Sequence, residues 1–238
     1  MTIVCESGIA GSPHAWAPVA RLLEPEFPIV IHRRPERGGH SLPVIARYLH
    51  AALTRSRIPA PYLLVGHSFG ALVVRQFAVL YPNATAGLVL VDGLPPSAVV
   101  SPAHLLQGQL AARTAEVLAA LHLLGPLFPK LSRRFRAVDW AMSELRKLPE
   151  EHRAPVFAEW LTPAFYGALA RTLASLPANL RIARAIPIQV PLLSLWSDYK
   201  DDQGTYVEGA GHWIQIDRPE VVAAAVRKLH AIIEEKGV

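Results

Sequence analysis

The stretch "LLVGHSFGALVVRQFAVLYP", residues 63–82, runs from a strand pattern through Gly66-His67-Ser68-Phe69-Gly70 into a helical pattern. It is a G-x-S-x-G segment in the strand-turn-helix setting that such a segment needs. Small residues at 66 and 70 let strand and helix approach closely enough to project Ser68 from a strained turn. The Ser68 hydroxyl then sits at a helix N-terminus, where the positive dipole end and free N–H groups favour an oxyanion. Ser68 is the expected nucleophile. His67 fills the variable position and is assigned no role.

Working outward, short β-rich runs alternate with helix-length segments as far as residue 94: "TIVCES", "PIVIH", "YLLVG" and "GLVLVD", each bounded by Gly or Pro. Strands separated by helices imply parallel pairing and an α/β sheet. Residues 95–186 offer no convincing strand. Helical spacings recur there instead: Leu106, Leu110, Val117, Leu121, Leu124; then Leu131, Phe135, Val138, Met142, Leu145; then Phe165, Leu169, Leu173, Leu176. Prolines 126, 129, 149, 155, 163 and 177 are read as punctuating these helices. The β pattern resumes in "PLLSLW", 191–196, and "TYVEG", 205–209, before a closing helix that begins near Pro219. The domain expectation is a core of 1–94 and 187–238 around an all-helical insertion at 95–186.

With 238 residues, 51% of them hydrophobic and 18% charged, the chain has the composition of a folded globular protein. The longest nearly apolar stretch, "VLAALHLLGPLFP" at 117–129, is too short and too broken for a membrane helix. "MTIVCESG" has neither the basic leader nor the apolar stretch of a secretion signal. Cys5 is the lone cysteine, which excludes an internal disulfide and suits a reducing compartment, so a cytoplasmic location is the expectation. The net charge of +5 comes from scattered arginines without a nucleic-acid motif, and no nucleic-acid partner is expected. The densest basic run, "KLSRRFR" at 130–136, reads as the wet face of a helix, with binding of an anionic substrate as the alternative.

A serine nucleophile needs a base. Of ten histidines, His14, His40, His104, His122, His152 and His230 lie in loops or on helical faces without an evident partner. His212, in "VEGAGHWIQIDRPE", follows the last strand at its C-terminal end, where parallel α/β sheets gather catalytic groups. Two N–H donors are also required for an oxyanion. Phe69 follows the nucleophile, and Ile9 lies in the loop after the first strand, "SGIAGSPHAW" at 7–16.

Elbow, loop and terminal histidine in this order resemble the α/β-hydrolase superfamily, over essentially the whole chain. In detail the chain looks like the esterase-like branch, with "PYLLVGHSFG", "AGLVLVDG" and "AGHWIQIDRPE". The resemblance implies an α/β-hydrolase fold: a mostly parallel sheet of about six strands, lacking the leading hairpin, with a helical cap formed by the insertion. Two further departures bear on substrate: Ser7 stands where many members have His before Gly8, and "HRRPERGGHS" stands where many have Asp-x-x-Gly.

The acid that orients His212 has rival candidates. Only residues 197–204 separate the last two strands, too few for an ordinary parallel crossover, which argues that Asp198, Asp201 and Asp202 form a polar turn. Asp92, ending the strand "GLVLVD", is fixed by the sheet and is preferred, with Asp198 as the alternative.

The resulting expectation is a cofactor-independent and metal-free serine hydrolase, with no membrane span, acting on a small-molecule carboxylic ester or thioester with a hydrophobic acyl group. A non-catalytic, receptor-like scaffold binding a small hydrophobic ligand is the other reading. Haloalkane dehalogenases and epoxide hydrolases would carry a carboxylate at position 68. The first turn has Gly8 and Gly11 without the third glycine of a dinucleotide fingerprint, and no zinc motif is present.

Overall fold

The computed structural model describes residues 1–35, 39–198 and 204–236. Strands β1 (Thr2–Glu6), β2 (Ile29–Ile31), β3 (Tyr62–His67), β4 (Thr85–Val91), β5 (Leu192–Trp196) and β6 (Thr205–Tyr206) form one sheet in the order β2-β1-β3-β4-β5-β6. Every neighbouring pair is parallel. Helices α1 (Ala17–Leu23), α2 (Leu42–Arg55) and α3 (Phe69–Leu80) connect the first strands, and α9 (Ile214–Asp217) and α10 (Pro219–Lys236) follow the last. The α/β-hydrolase fold expected from the sequence is the fold observed.

The central strands read as apolar runs because both faces are covered, as parallel sheets require. Alternation along each strand sorts the side chains. Ile3, Cys5, Leu63, Val65, Val89 and Val91 pack with Trp16, with Val19 and Leu23 of α1, and with Val222, Val226, Leu229 and Ile233 of α10. Val4, Leu64, Leu88 and Leu90 face the opposite way, onto Ala46, Leu49 and Leu53 of α2 and Ala71, Val74 and Phe77 of α3. After β1 the chain goes to one side to make β2, then returns across β1 to make β3. This reversal makes β1 and β3 a topological switch point, and open α/β sheets bind ligands beyond the C-terminal strand ends at such a point.

Glycine contact closes the packing at that end of the sheet. A Cβ at Gly66 would lie 2.6 Å from Gly70 O, and a Cβ at Gly70 would collide with Glu6 O and lie 2.6 Å from Ser7 O. Thus α3 begins in direct backbone contact with the ends of both β3 and β1.

The last strand is shorter than the five residues read from "TYVEG". β6 pairs only Thr205 with Leu195 and Tyr206 with Trp196. The chain therefore has to back up by only about two residues between parallel neighbours, and residues 197–204 suffice where a full-length strand would need a longer crossover.

One compact unit carries the sheet, and a second comprises Val99–Pro177. Helices α4 (Pro102–Ala120), α5 (Leu124–Arg134), α6 (Arg136–Lys147), α7 (Glu150–Trp160) and α8 (Pro163–Arg184) occupy the segment read as helical. Their details differ from the spacing. The stripe from Leu131 to Leu145 is split at Phe135, whose extended backbone ends α5 and begins α6: its N–H bonds to Leu131 O, and its own carbonyl accepts from Val138 and Asp139. Arg133 and Arg134 of the basic run consequently occupy the last turn of α5, where positive charge complements the helix dipole. Pro149 and Pro163 flank helix starts as expected, but Pro129, Pro155 and Pro177 lie inside helices. Each forfeits one backbone bond, and the helices continue because tertiary packing outweighs local propensity. On α4 the buried positions are Leu105, Ala112 and Ala119, whereas Leu106, Leu110 and Val117, and Leu121 just past its end, are exposed. Among the described residues no helix is long and apolar enough to cross a membrane.

Two tests follow from this packing. Cys5 is 1% exposed and burial pushes its thiol pKa up; a thiol-specific chromogenic reagent at pH 8 should leave it untouched in the folded protein and titrate it fully in denaturant. Gly70→Ala should destabilise the fold by about 1–3 kcal/mol in urea unfolding, because its methyl group meets unyielding backbone.

Candidate active site

Ser68 joins β3 to α3 with φ 53° and ψ −120°, a region that a residue with a side chain occupies only at a cost of order 1–3 kcal/mol. Two hydrogen bonds hold it there. Ser68 N–H donates to Val91 O at 3.1 Å, and Leu94 N–H donates to Ser68 O at 3.0 Å, so the end of β4 clasps the elbow from both sides. Asp92, in the middle of that clasp, has φ 43°, and Ala10, in the loop after β1, has φ 55°. With Ser68 they are three of the five non-glycine residues with positive φ among those described.

The loop after β1 lies against the elbow. A Cβ on Gly8 would stand 3.0 Å from Ser68 Cβ and 3.2 Å from His67 Nδ1. Ser7 anchors this loop with its hydroxyl. It accepts a bond from the buried Trp16 indole at 3.1 Å and reaches Ser12 O at 3.4 Å. Among the described residues no backbone carbonyl engages the N–H of Ile9 or of Phe69.

His212 meets Asp92. Its Nδ1 lies 2.5 Å from Asp92 Oδ2, and since a carboxylate only accepts, Nδ1–H donates. That leaves Nε2 as the basic nitrogen. Asp92 is 1% exposed, and its other oxygen accepts the Ser197 N–H at 2.9 Å, so both carboxylate oxygens are satisfied in a buried setting. The imidazole itself is partly open, with 37% of its side chain exposed. Asp198 is exposed in the bend after β5. Asp201 and Asp202 lie outside the described residues.

Two features escaped the sequence reading. His67, given no role there, donates from Nε2 to His212 O at 2.8 Å, and its ring centroid is 4.7 Å from that of His212. It ties the elbow to the histidine loop, and only its place beside Ser68 in the sequence hinted at this. Glu6, His32 and Arg34 form a second charged cluster at the ends of β1 and β2. Their sequence separation hides it.

Comparison with known proteins agrees with this architecture. A stretch of the chain is 35% identical over 99 residues to the "Putative carbamate hydrolase RutD" of Escherichia coli O7:K1 (strain IAI39 / ExPEC), covering 38% of this chain and 37% of that protein. Among solved structures, a thermophilic esterase from Thermogutta terrifontis superposes with a TM-score of 0.69 at 18% identity, over 98% of this chain and 90% of the other. A "putative epoxide hydrolase" from Pseudomonas aeruginosa gives 0.72 at 18% identity, over 98% and 89%. The profile of the alpha/beta hydrolase family matches residues 3–225, and the chain belongs to that family of enzymes.

Proposed function

We propose that the protein is a serine hydrolase that cleaves a carboxylic ester or thioester through an acyl-enzyme, with Ser68 as nucleophile, His212 as base and Asp92 as the acid that orients it. The observation that carries this reading is the 2.5 Å contact between Asp92 and His212, made by two loops that flank the strained turn bearing Ser68. Asp92 engages Nδ1 and holds the imidazole in the tautomer whose Nε2 can take a proton from the serine.

Ser68 Oγ attacks the substrate carbonyl carbon while its proton passes to His212 Nε2, and the carbonyl oxygen becomes an oxyanion. The N–H groups of Ile9 and Phe69 receive that charge, the latter at the N-terminus of α3. Collapse of the intermediate breaks the bond to the leaving group, which takes the proton from His212. Water, deprotonated by His212, then attacks the acyl carbonyl, and as the bond to Ser68 Oγ breaks His212 returns the proton to Oγ and the acid is released. Asp92 remains ionised throughout and stabilises the imidazolium. A carbamate would be attacked at the same carbonyl, and the 99-residue similarity to RutD favours including carbamates among the substrates tried. The insertion expected from the sequence serves in this reading as a cap that selects a hydrophobic acyl group, and its helix α4 carries exposed apolar side chains.

Ser68→Ala should lower kcat on a short p-nitrophenyl ester by roughly 10³-fold or more with the circular dichroism unchanged; wild-type turnover in that variant would exclude Ser68. In the same assay Asp92→Asn should lose up to about 10⁴-fold, because Asn permits the wrong tautomer, and Asp198→Asn almost nothing. The opposite ranking would move the acid to the turn after β5. A phosphonate that labels wild type no faster than Ser68→Ala would favour the receptor-like alternative.

Across p-nitrophenyl esters of increasing acyl length, kcat/KM should rise from acetyl to medium chains. A series in which acetyl is best would remove the cap from substrate selection.

A further inference from the structure

The Arg34 side chain grips the oxyanion loop from behind. Its Nη2 donates to Ser7 O at 2.6 Å and also to Gly8 O. Its Nε stands 2.8 Å from Oε1 of Glu6, a carboxylate wholly buried at the end of β1. That oxygen has no well-angled hydrogen bond, so charge attraction is what holds the pair. The other oxygen, Oε2, accepts from His32 Nδ1 at 2.6 Å. Finally, the guanidinium carbon lies 5.6 Å from the centroid of the Phe69 ring, within range of a cation–π contact.

These contacts act on two peptide planes. In a trans peptide the carbonyl and the following N–H point in opposite directions. Drawing the carbonyls of Ser7 and Gly8 toward Arg34 therefore turns the N–H groups of Gly8 and Ile9 away from it. The loop carrying them is packed on Ser68, since a Cβ at Gly8 would lie 3.0 Å from Ser68 Cβ. Phe69, whose N–H is the second donor assigned above, is touched by the same guanidinium. One side chain thus bonds to the loop after β1 and lies over the ring of Phe69. Its planar fork suits the task because two carbonyls and a carboxylate can be met at once, which a lysine ammonium on a flexible stem cannot do with the same geometry.

We propose that Arg34, itself held by Glu6, is a positioning residue that presets the oxyanion-hole amides of the loop after β1. The inference rests on the serine-hydrolase reading. Loss of this brace should appear in the chemical step and not in substrate binding, because the amides stabilise charge that exists only in the transition state.

The experiment compares wild type, Ser68→Ala, Arg34→Ala and Arg34→Lys on a p-nitrophenyl ester, with circular dichroism and thermal melting on each. Arg34→Ala should lower kcat by about 10²–10³-fold, the scale of losing one oxyanion donor, with KM changed by less than about threefold. Millimolar guanidinium chloride should restore roughly tenfold or more of that loss by occupying the vacated site, and Arg34→Lys should stay well below wild type. A folded Arg34→Ala with kcat within about threefold of wild type overturns the inference, as does a loss in kcat that guanidinium fails to rescue. Should Arg34→Ala not fold, Arg34→Lys decides: wild-type kcat overturns the proposal, and reduced kcat at unchanged KM supports it. If wild type shows no turnover that depends on Ser68, the hydrolase reading fails and takes the inference with it; turnover that depends on Ser68 but not on Arg34 removes the inference alone.

Discussion

Everything at the reactive edge depends on backbone meeting backbone without a side chain between. Gly70 brings the first turn of α3 onto the carbonyls of Glu6 and Ser7, and Gly66 brings β3 under Gly70. With that approach the strained Ser68 is caught between Val91 O and Leu94 N–H, which supply the bonds its unusual φ would otherwise forfeit. The strain is local and the restraint comes from the neighbouring strand. The sheet, in other words, holds the serine in a conformation that the serine would not choose.

Two buried carboxylates flank this edge, and each is neutralised in its own way. Asp92 receives a backbone N–H and the imidazole of His212. Glu6 receives the imidazole of His32 and the guanidinium of Arg34. An unpaired buried carboxylate would be strongly destabilising, so each needs partners that come from other segments of the chain. On the Asp92 side the partner is left partly open to solvent. On the Glu6 side His32 is buried and Arg34 also holds the backbone carbonyls of Ser7 and Gly8. The same pairing, an acid with a base, thus leaves an imidazole partly exposed in one place and fixes a loop in the other.

Much of this was legible in the residue order. Gly66 and Gly70 announced the elbow because the close approach they allow is a local requirement, readable within five positions. The strands were legible because a sheet covered on both faces demands uninterrupted apolar runs, as in Val4 and its neighbours. Length argued against the aspartates between β5 and β6, and Asp92, preferred because the sheet fixes it, contacts His212. What could not be read were effects that depend on where distant segments meet. Arg34 and Glu6 sit far apart in sequence, at strand ends where charged residues usually face water. The prolines misled for a related reason: local propensity opposes Pro155 and Pro177 inside a helix, and only packing contributed from elsewhere overrides it.

β4 and β5 are neighbours, with Leu88 beside Leu192, although roughly 100 residues separate them. The entropy of closing a loop grows only with the logarithm of its length, so this connection disfavours the pairing by about 2 kcal/mol more than a minimal crossover of a dozen residues would. Strand register is thereby nearly indifferent to what is strung between Val91 and Leu192. A lineage can lengthen, shorten or replace those helices while the paired strands, and the reactive groups at their ends, are inherited unchanged.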